Sequence, residues 1–257
     1  ALRFLFAPDF SRVSGWVVLA AMGQAFFSLS LGMGAIMVYG SYLPERASIA
    51  RSALSVAVAD TGVALLAGLA IFPIIFANDL SPAQGAGLAF KSLPLAFAQM
   101  PGGAFFGGLF FVLLVFAAWT SAISLMEPVV AYLVENRGWS RVHASAWVGI
   151  TIWLLGTGTI LSFNLWSGYT LFGGMTFFDI VDFFTSNVLL PVGGLLIAVF
   201  AGWSLSERVS REELALGGLG FTVWRFLTRY VTPIAVVAVL LNVTGLLGWF
   251  LKPGSGA

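Results

Sequence analysis

A chain of 257 residues that is 59% hydrophobic and only 9% charged cannot cover itself with the polar surface a soluble domain needs, so it is an integral membrane protein. Alternating period-2 patterning is absent, which argues against an outer-membrane barrel, and a net charge of +1 gives no sign of a nucleic-acid partner. With no cysteine, disulfides and thiolate metal sites are excluded and the redox compartment stays undetermined.

The first residue is Ala, and no basic n-region precedes a short apolar core. The chain is therefore expected to be a piece of something longer, with residues 1–14 as an entry segment. A helix needs about 20 residues to cross the hydrocarbon, and six spans are predicted. The first, 15–42, contains "GQAFFSLSLGMGAIMVYGSY", where small residues interrupt an apolar run. Gly32 and Gly34 each weaken a helix by roughly 1 kcal/mol, and Ser28 and Ser30 can satisfy backbone groups that a break would release. Non-helical backbone at membrane depth is tolerated only where protein buries it or it lines a cavity. The alternative is an intact helix that uses glycine as a contact surface, as "GAFFG" at 103–107 does.

The second span is 49–77. Residues 80–101, with their Pro and Gly, suit a hairpin of short helices outside the membrane. The third span, 103–136, is long enough to project beyond the bilayer, and the fourth is 141–163. The fifth, 176–204, contains Pro191-Val-Gly-Gly, which should kink or loosen it. A polar linker at 206–225 leads to a sixth span at 226–251 and a tail at 252–257.

Lys and Arg set the orientation. Arg46, Arg51, Arg137, Arg141, Arg208, Arg211, Arg225 and Arg229 fall on one side; Arg3, Arg12, Lys91 and Lys252 fall on the other. The crowded side is expected to be cytoplasmic, in a multi-pass plasma (inner) membrane protein whose chain starts outside.

Several groups do not belong in lipid. An ionisable side chain at the bilayer centre costs at least ~2.5–3.5 kcal/mol on insertion scales, so Asp60, Glu127, Asp179 and Asp182 each call for a partner or a wet cavity. A bound cation, or a basic residue on a missing segment, would suit Asp60; the alternative is that Asp60 is itself protonated or bridged by water. In "AAWTSAISLMEP", Ala117, Thr120 and Ser121 put a carbonyl and two hydroxyls on one helical face. These are hard oxygen ligands suited to a small cation, although on spacing alone hydroxyls bonded back to the preceding turn, and small residues that let helices approach, are the better explanation.

Taken together, these segments resemble the sodium-coupled neurotransmitter and amino-acid symporter family, which has the LeuT-type fold. "FLFAPDFSRV" and "GQAFFSLSLGMGAIMVYGSYL" look like the entry to the sixth helix of that fold and the helix itself, unwound at its centre. "VADTGVALLAGLAIFP" resembles the seventh helix, "FAAWTSAISLMEPVVAYLVE" the eighth and "FFDIVDFFTSNVLLPVGG" the tenth. The resemblance implies an all-α membrane protein: the second inverted five-helix repeat at 15–205, with a discontinuous first helix, plus one further helix. The first repeat would be the partner that completes it.

The resemblance further implies a role for individual residues. Ser28 and Asp60 match the first sodium site; Ala117 (through its carbonyl), Thr120 and Ser121 match the second. Phe27 matches the aromatic lid over the substrate. Ser28, Ser30, Met33, Ser121 and Leu125, with Phe27, match substrate-pocket positions. Asp182 matches the outer gate acid, and Glu135, near Tyr42, the inner one, each with an Arg partner expected from the first repeat. Glu127 receives no role. Chloride-dependent relatives carry Asn where this chain has Asp60, so a carboxylate here implies that chloride is not needed. Gln24, another position near the anion site of the family, is retained. Met33 stands where many relatives have Phe, which points to a pocket that takes bulky apolar or aromatic side chains.

The implied activity is transport rather than bond-making chemistry: sodium ions co-transported with a small neutral amino acid. Two rivals remain at this point, a proton-coupled amino-acid carrier and a membrane subunit that binds ligand without transporting it. An intramembrane enzyme has little support, since His143, the only histidine, lies at a helix start.

Overall fold

A computed structural model of the protein describes residues 2–78 and 88–244. In chain order the helices are α1 (Leu2–Phe6), α2 (Gly15–Ser28), α3 (Ala35–Ser41), α4 (Ile49–Ala77), α5 (Leu88–Ala98), α6 (Gly103–Arg137), α7 (Arg141–Leu161), α8 (Phe177–Ser204), α9 (Glu207–Leu214) and α10 (Gly218–Asn242). Among the described residues there is no strand. The start of the predicted 80–101 hairpin, the end of the predicted sixth span from 245 and the 252–257 tail lie outside the described residues.

Among the described residues five helices, α4, α6, α7, α8 and α10, are long and apolar enough to cross a membrane. The predicted first span is the one that falls short, because it divides into a 14-residue α2 and a 7-residue α3. At ~1.5 Å rise per residue α2 covers about 21 Å, less than the ~30 Å of hydrocarbon. Neither half crosses alone. In the most apolar stretch of α6 no residue is buried, and side chains such as Leu113 and Phe116 are exposed.

The chain divides into two compact units, Ala1–Val13 with Leu54–Ile123, and Ser14–Ala53 with Ser124–Ala257. In the first, Ile75, Leu93 and Phe97 form a buried cluster flanked by Ile71, Met100 and Phe110. Phe97 packs against α6 where Gly103 and Gly107 carry no side chain; a Cβ at Gly103 would collide with the Phe97 carbonyl oxygen. The "GAFFG" stretch is thus a contact surface inside an intact helix. Phe4 of α1 meets Phe72 and Phe76 of α4 edge-on, with centroids 5.0 and 5.3 Å apart.

In the second unit, α2 packs with α8 and α10. Both of the latter helices are widened just before a proline. The Leu190 N–H bonds to the Thr185 carbonyl, five residues back, and the Thr232 N–H to that of Leu227. Pro191 and Pro233 follow directly. A proline ring clashes with the carbonyl four residues earlier and lacks a donor; the π-helical turns Phe183–Leu189 and Leu227–Val231 absorb that misfit without a break. The loosening expected around Pro191 takes this form.

Helix starts are capped by local hydroxyls. Ser14, Ser140 and Ser206 accept N–H bonds from Val17, His143 and Val209, and Thr176 forms a reciprocal capping box with Asp179. His143 belongs to such a cap, its ring Nδ1 2.6 Å from Ser140 Oγ. The predicted 206–225 linker is itself largely helical. It folds as α9 and, after a left-handed Ala215, as the first turns of α10, which begins at Gly218 rather than 226. Amphipathic spacing and a Ser cap favour α9, and those signals were outweighed in the sequence by its charge.

Candidate functional site

The break between α2 and α3 is a built structure. α2 ends in a Schellman arrangement: Ser30 N–H bonds to the Phe27 carbonyl at 3.1 Å, and Leu31 N–H to that of Phe26 at 3.0 Å. This places Ser30 in the left-handed region at φ 53°, where glycine is usual and another residue costs roughly 1–2 kcal/mol. Gly32 at φ 85° and Gly34 at φ 82° continue the turn. Gly34 then opens α3, its carbonyl accepting from Val38 N–H. Of the two readings open in the sequence, helix or break, the break is the one adopted.

Backbone holds the break in place. A Cβ at Gly32 would strike the Leu190 carbonyl oxygen, and one at Gly193 would strike the Gly32 carbonyl oxygen. The unwound segment thus rests directly on the proline-bearing part of α8, with no side chain between them.

On the other side α3 is pinned to α6 by two rungs three residues apart. The Tyr39 hydroxyl donates to Ser124 Oγ at 2.7 Å, and the Tyr42 hydroxyl donates to Glu127 Oε1 at 2.6 Å. Glu127 is buried and also takes Arg141 Nη2 on both oxygens, at 2.6 and 2.7 Å. Its charge is therefore neutralised where it enters α6, and one carboxylate joins α3, α6 and α7. Pro128, next to it, touches the face of Gly34.

A cavity of about 510 Å³ opens beside the break, lined by Phe27, Met33, Leu125, Asp182, Thr185 and Ser186 among others. Four residues singled out in the sequence, Phe27, Met33, Leu125 and Asp182, thus meet at one space. Its lining combines apolar and aromatic side chains with a carboxylate and hydroxyls. The Ser186 hydroxyl lies 3.3 Å from Asp182 Oδ1. Ser28 and Ser30 border the same break. Gln24 lines a neighbouring cavity of about 270 Å³ between α2, α8 and α10.

The other predicted ligands belong to the first unit and are described there alone. Asp60 is half-buried on α4. On α6 the Thr120 hydroxyl bonds back to the carbonyls of Phe116 at 3.0 Å and Ala117 at 3.1 Å, and Ser121 is exposed. The back-bonding reading is thus realised for Thr120, and it holds two of the expected oxygens side by side.

Two results were not expected. Tyr42 contacts Glu127, not Glu135, which is exposed further along α6 and makes no ion pair among the described residues. And Arg141, read only as a marker of orientation, is the partner of Glu127. That pairing spans 14 residues and the third position 85, so no local periodicity announces it; a buried acid demanding a cation was the available signal.

The model of the Sodium:neurotransmitter symporter family matches residues 1–246. The uncharacterized sodium-dependent transporter YhdH of Bacillus subtilis (strain 168) is 40% identical over 252 residues, covering 96% of this chain and 56% of that protein. A sodium-dependent transporter of Haemophilus influenzae is 32% identical over 243 residues, 94% of this chain and 53% of its own length. The chain spans about half the length of these relatives. Among solved structures, MhsT in complex with L-phenylalanine superposes with a TM-score of 0.84 at 43% identity, covering 94% of this chain and 55% of that one.

Proposed function

The chain belongs to the sodium:neurotransmitter symporter family and carries the LeuT-type fold, and from that premise we propose that the whole protein couples sodium entry to uptake of a neutral, hydrophobic or aromatic L-amino acid. The observation that carries this reading is the cavity at the break, where Phe27, Met33, Leu125 and Asp182 converge. Unwound backbone between α2 and α3 offers carbonyls to an ammonium group, Phe27 and Met33 take an apolar side chain, and Asp182 stands at the edge as the outer gate. The L-phenylalanine bound to MhsT supports an aromatic substrate.

In this reading Ser28 and Asp60 bind one sodium ion, and Ala117, Thr120 and Ser121 a second. Ser30 and Ser121 also face substrate. Tyr42 and Glu135 form the inner gate, joined by Glu127 and Arg141. Each positive charge entering down the membrane potential gains about 2.3 kcal/mol per 100 mV, which with the concentration gradient drives uptake by alternating access. The carboxylate of Asp60 supplies the negative charge that chloride gives other family members, so transport is chloride-independent.

The test is Asp60→Asn in the full-length protein reconstituted in liposomes. Sodium-driven uptake of L-phenylalanine should fall at least tenfold, a loss of about 1.4 kcal/mol in coupling, and added chloride should restore part of it. Undiminished, chloride-free sodium affinity in that variant overturns the assignment, and uptake without sodium at acidic pH replaces it with proton coupling.

A further inference from the structure

A further cavity, of about 270 Å³, lies between α9 and the start of α10, away from the break, and is lined by Glu207, Arg211, Phe221, Arg225, Arg229 and Tyr230 among others. Its charges do not balance. Glu207 takes both Arg211 Nη2 at 2.7 Å and Arg225 Nη1 at 3.0 Å, so one carboxylate serves two guanidinium groups. Glu212, nearby on α9, is already paired with Arg208 at 2.9 Å.

Arg229 has no carboxylate within ion-pair distance among the described residues. Its guanidinium carbon sits 4.3 Å from the Trp203 ring centre and 5.7 Å from that of Tyr230. Its Nε is buried and has no hydrogen-bond partner. The backbone beneath is fixed as well: Trp203 Nε1–H donates to the Arg229 carbonyl at 3.1 Å, and Gly202 packs so closely that a Cβ there would press on Arg229 Cα. A cation packed against the Trp203 ring, with Tyr230 beside it, over a rigid support is preorganised, which lowers the ordering cost of binding an anion.

The setting selects the anion. Arg225 and Arg229 lie one turn apart where α10 turns apolar, and Phe226, Leu227 and Val231 beside them are exposed. A soluble anion has no use for those apolar side chains, whereas a lipid fills both halves with one molecule. Basic pockets at the ends of membrane helices bind anionic headgroups in this way.

We infer that Arg225 and Arg229, with Trp203 and Tyr230, form a binding site for the phosphate of an anionic phospholipid, its acyl chains lying along Phe226, Leu227 and Val231. The site needs neither sodium nor amino acid, so its test is separate from that of transport.

Native mass spectrometry of the full-length protein, titrated with phosphatidylglycerol or with phosphatidylcholine of the same acyl chains, reads the site directly. Phosphatidylglycerol should bind more tightly, and the preference should fall about fivefold for each of Arg225→Gln and Arg229→Gln. Arg208→Gln, at a residue that does not line the cavity, should leave it unchanged. An unchanged preference in both cavity variants overturns the inference, and so does competition by glycerol phosphate at equal concentration, which would make the ligand a soluble anion. A measurement on the unaltered protein covers the case in which a variant fails to fold. A phosphatidylglycerol carrying a photoreactive group should label the peptides holding Trp203 and Tyr230, and labelling confined to other helices counts against the site.

Discussion

At the scale of single residues, Gly32 illustrates how a side chain that is absent can decide a fold. Its φ of 85° and the Leu190 carbonyl oxygen over its missing Cβ impose two separate penalties on any replacement. Gly32→Ala should lose at least about 2 kcal/mol, read as a drop in thermal stability of the full-length protein. Gly40, inside α3 with open space around it, is the matched control: Gly40→Ala should be neutral or gain up to about 1 kcal/mol, since alanine is the better helix former. Gly32 and Gly34 could be read from the sequence because helix propensity is local. Ser30 could not be read as a left-handed residue, because serine adopts that region only when the surrounding hydrogen bonds demand it.

At the scale of elements, the useful unit is the pair of rungs joining α3 to α6. Arg141→Gln leaves the buried Glu127 carboxylate with Tyr42 alone, whereas Glu127→Gln with Arg141→Gln removes the charge along with its partner. Since an unpaired buried charge is worse than a neutral pair, the single variant should unfold a few degrees below the double one in a thermal ramp. The reverse order would mean that Glu127 is already solvated. α9 offers a pH test. The Arg211 hydrogen bond, and then the charge of Arg225, hold the Glu207 carboxyl below its ordinary value of 4.5. A depressed acid stabilises the fold above its unfolded value and loses that contribution as pH falls through the lowered one. The amides of α9 should therefore stay protected from hydrogen exchange at neutral pH and lose protection only as pH falls below that ordinary value, while Glu207→Gln should lose it at every pH. The spans themselves were legible, because about 20 apolar residues have few other uses. The helical linker was not: α9 is held by ion pairs and by Arg211 resting on the Phe221 ring at 4.1 Å, contacts that exist only once the chain has folded.

At the scale of the whole molecule, the sequence made the class and the family legible but not the detail of the site. Composition alone implies a membrane protein, and ordered motifs across the chain carry the resemblance. What it could not supply was the long-range pairing of Tyr42, Glu127 and Arg141, which depends on helices far apart in sequence. The asymmetric placement of arginine yields a direct test in a full-length background freed of any cysteine outside this chain, which itself has none. Single cysteines at Glu45, Gly138 and Ser206 of the full-length protein should react with an impermeant maleimide from the cytoplasmic face, and one at Phe10 from the opposite face. Labelling of Phe10 from the cytoplasmic face and of Ser206 from the opposite one would reverse the topology, and labelling of both from one face would overturn the number of spans.

The bare meeting of Gly32 with Gly193 and Gly194 has a mechanical corollary. Where two main chains touch without cushioning side chains, nothing soft is present to yield, so one cannot slide while the other stays still. Any rocking of the unwound segment must be handed on at once to α8, whose widened turns before Pro191 give it somewhere to bend. The contact works as a fulcrum, and a single methyl group inserted there should jam it.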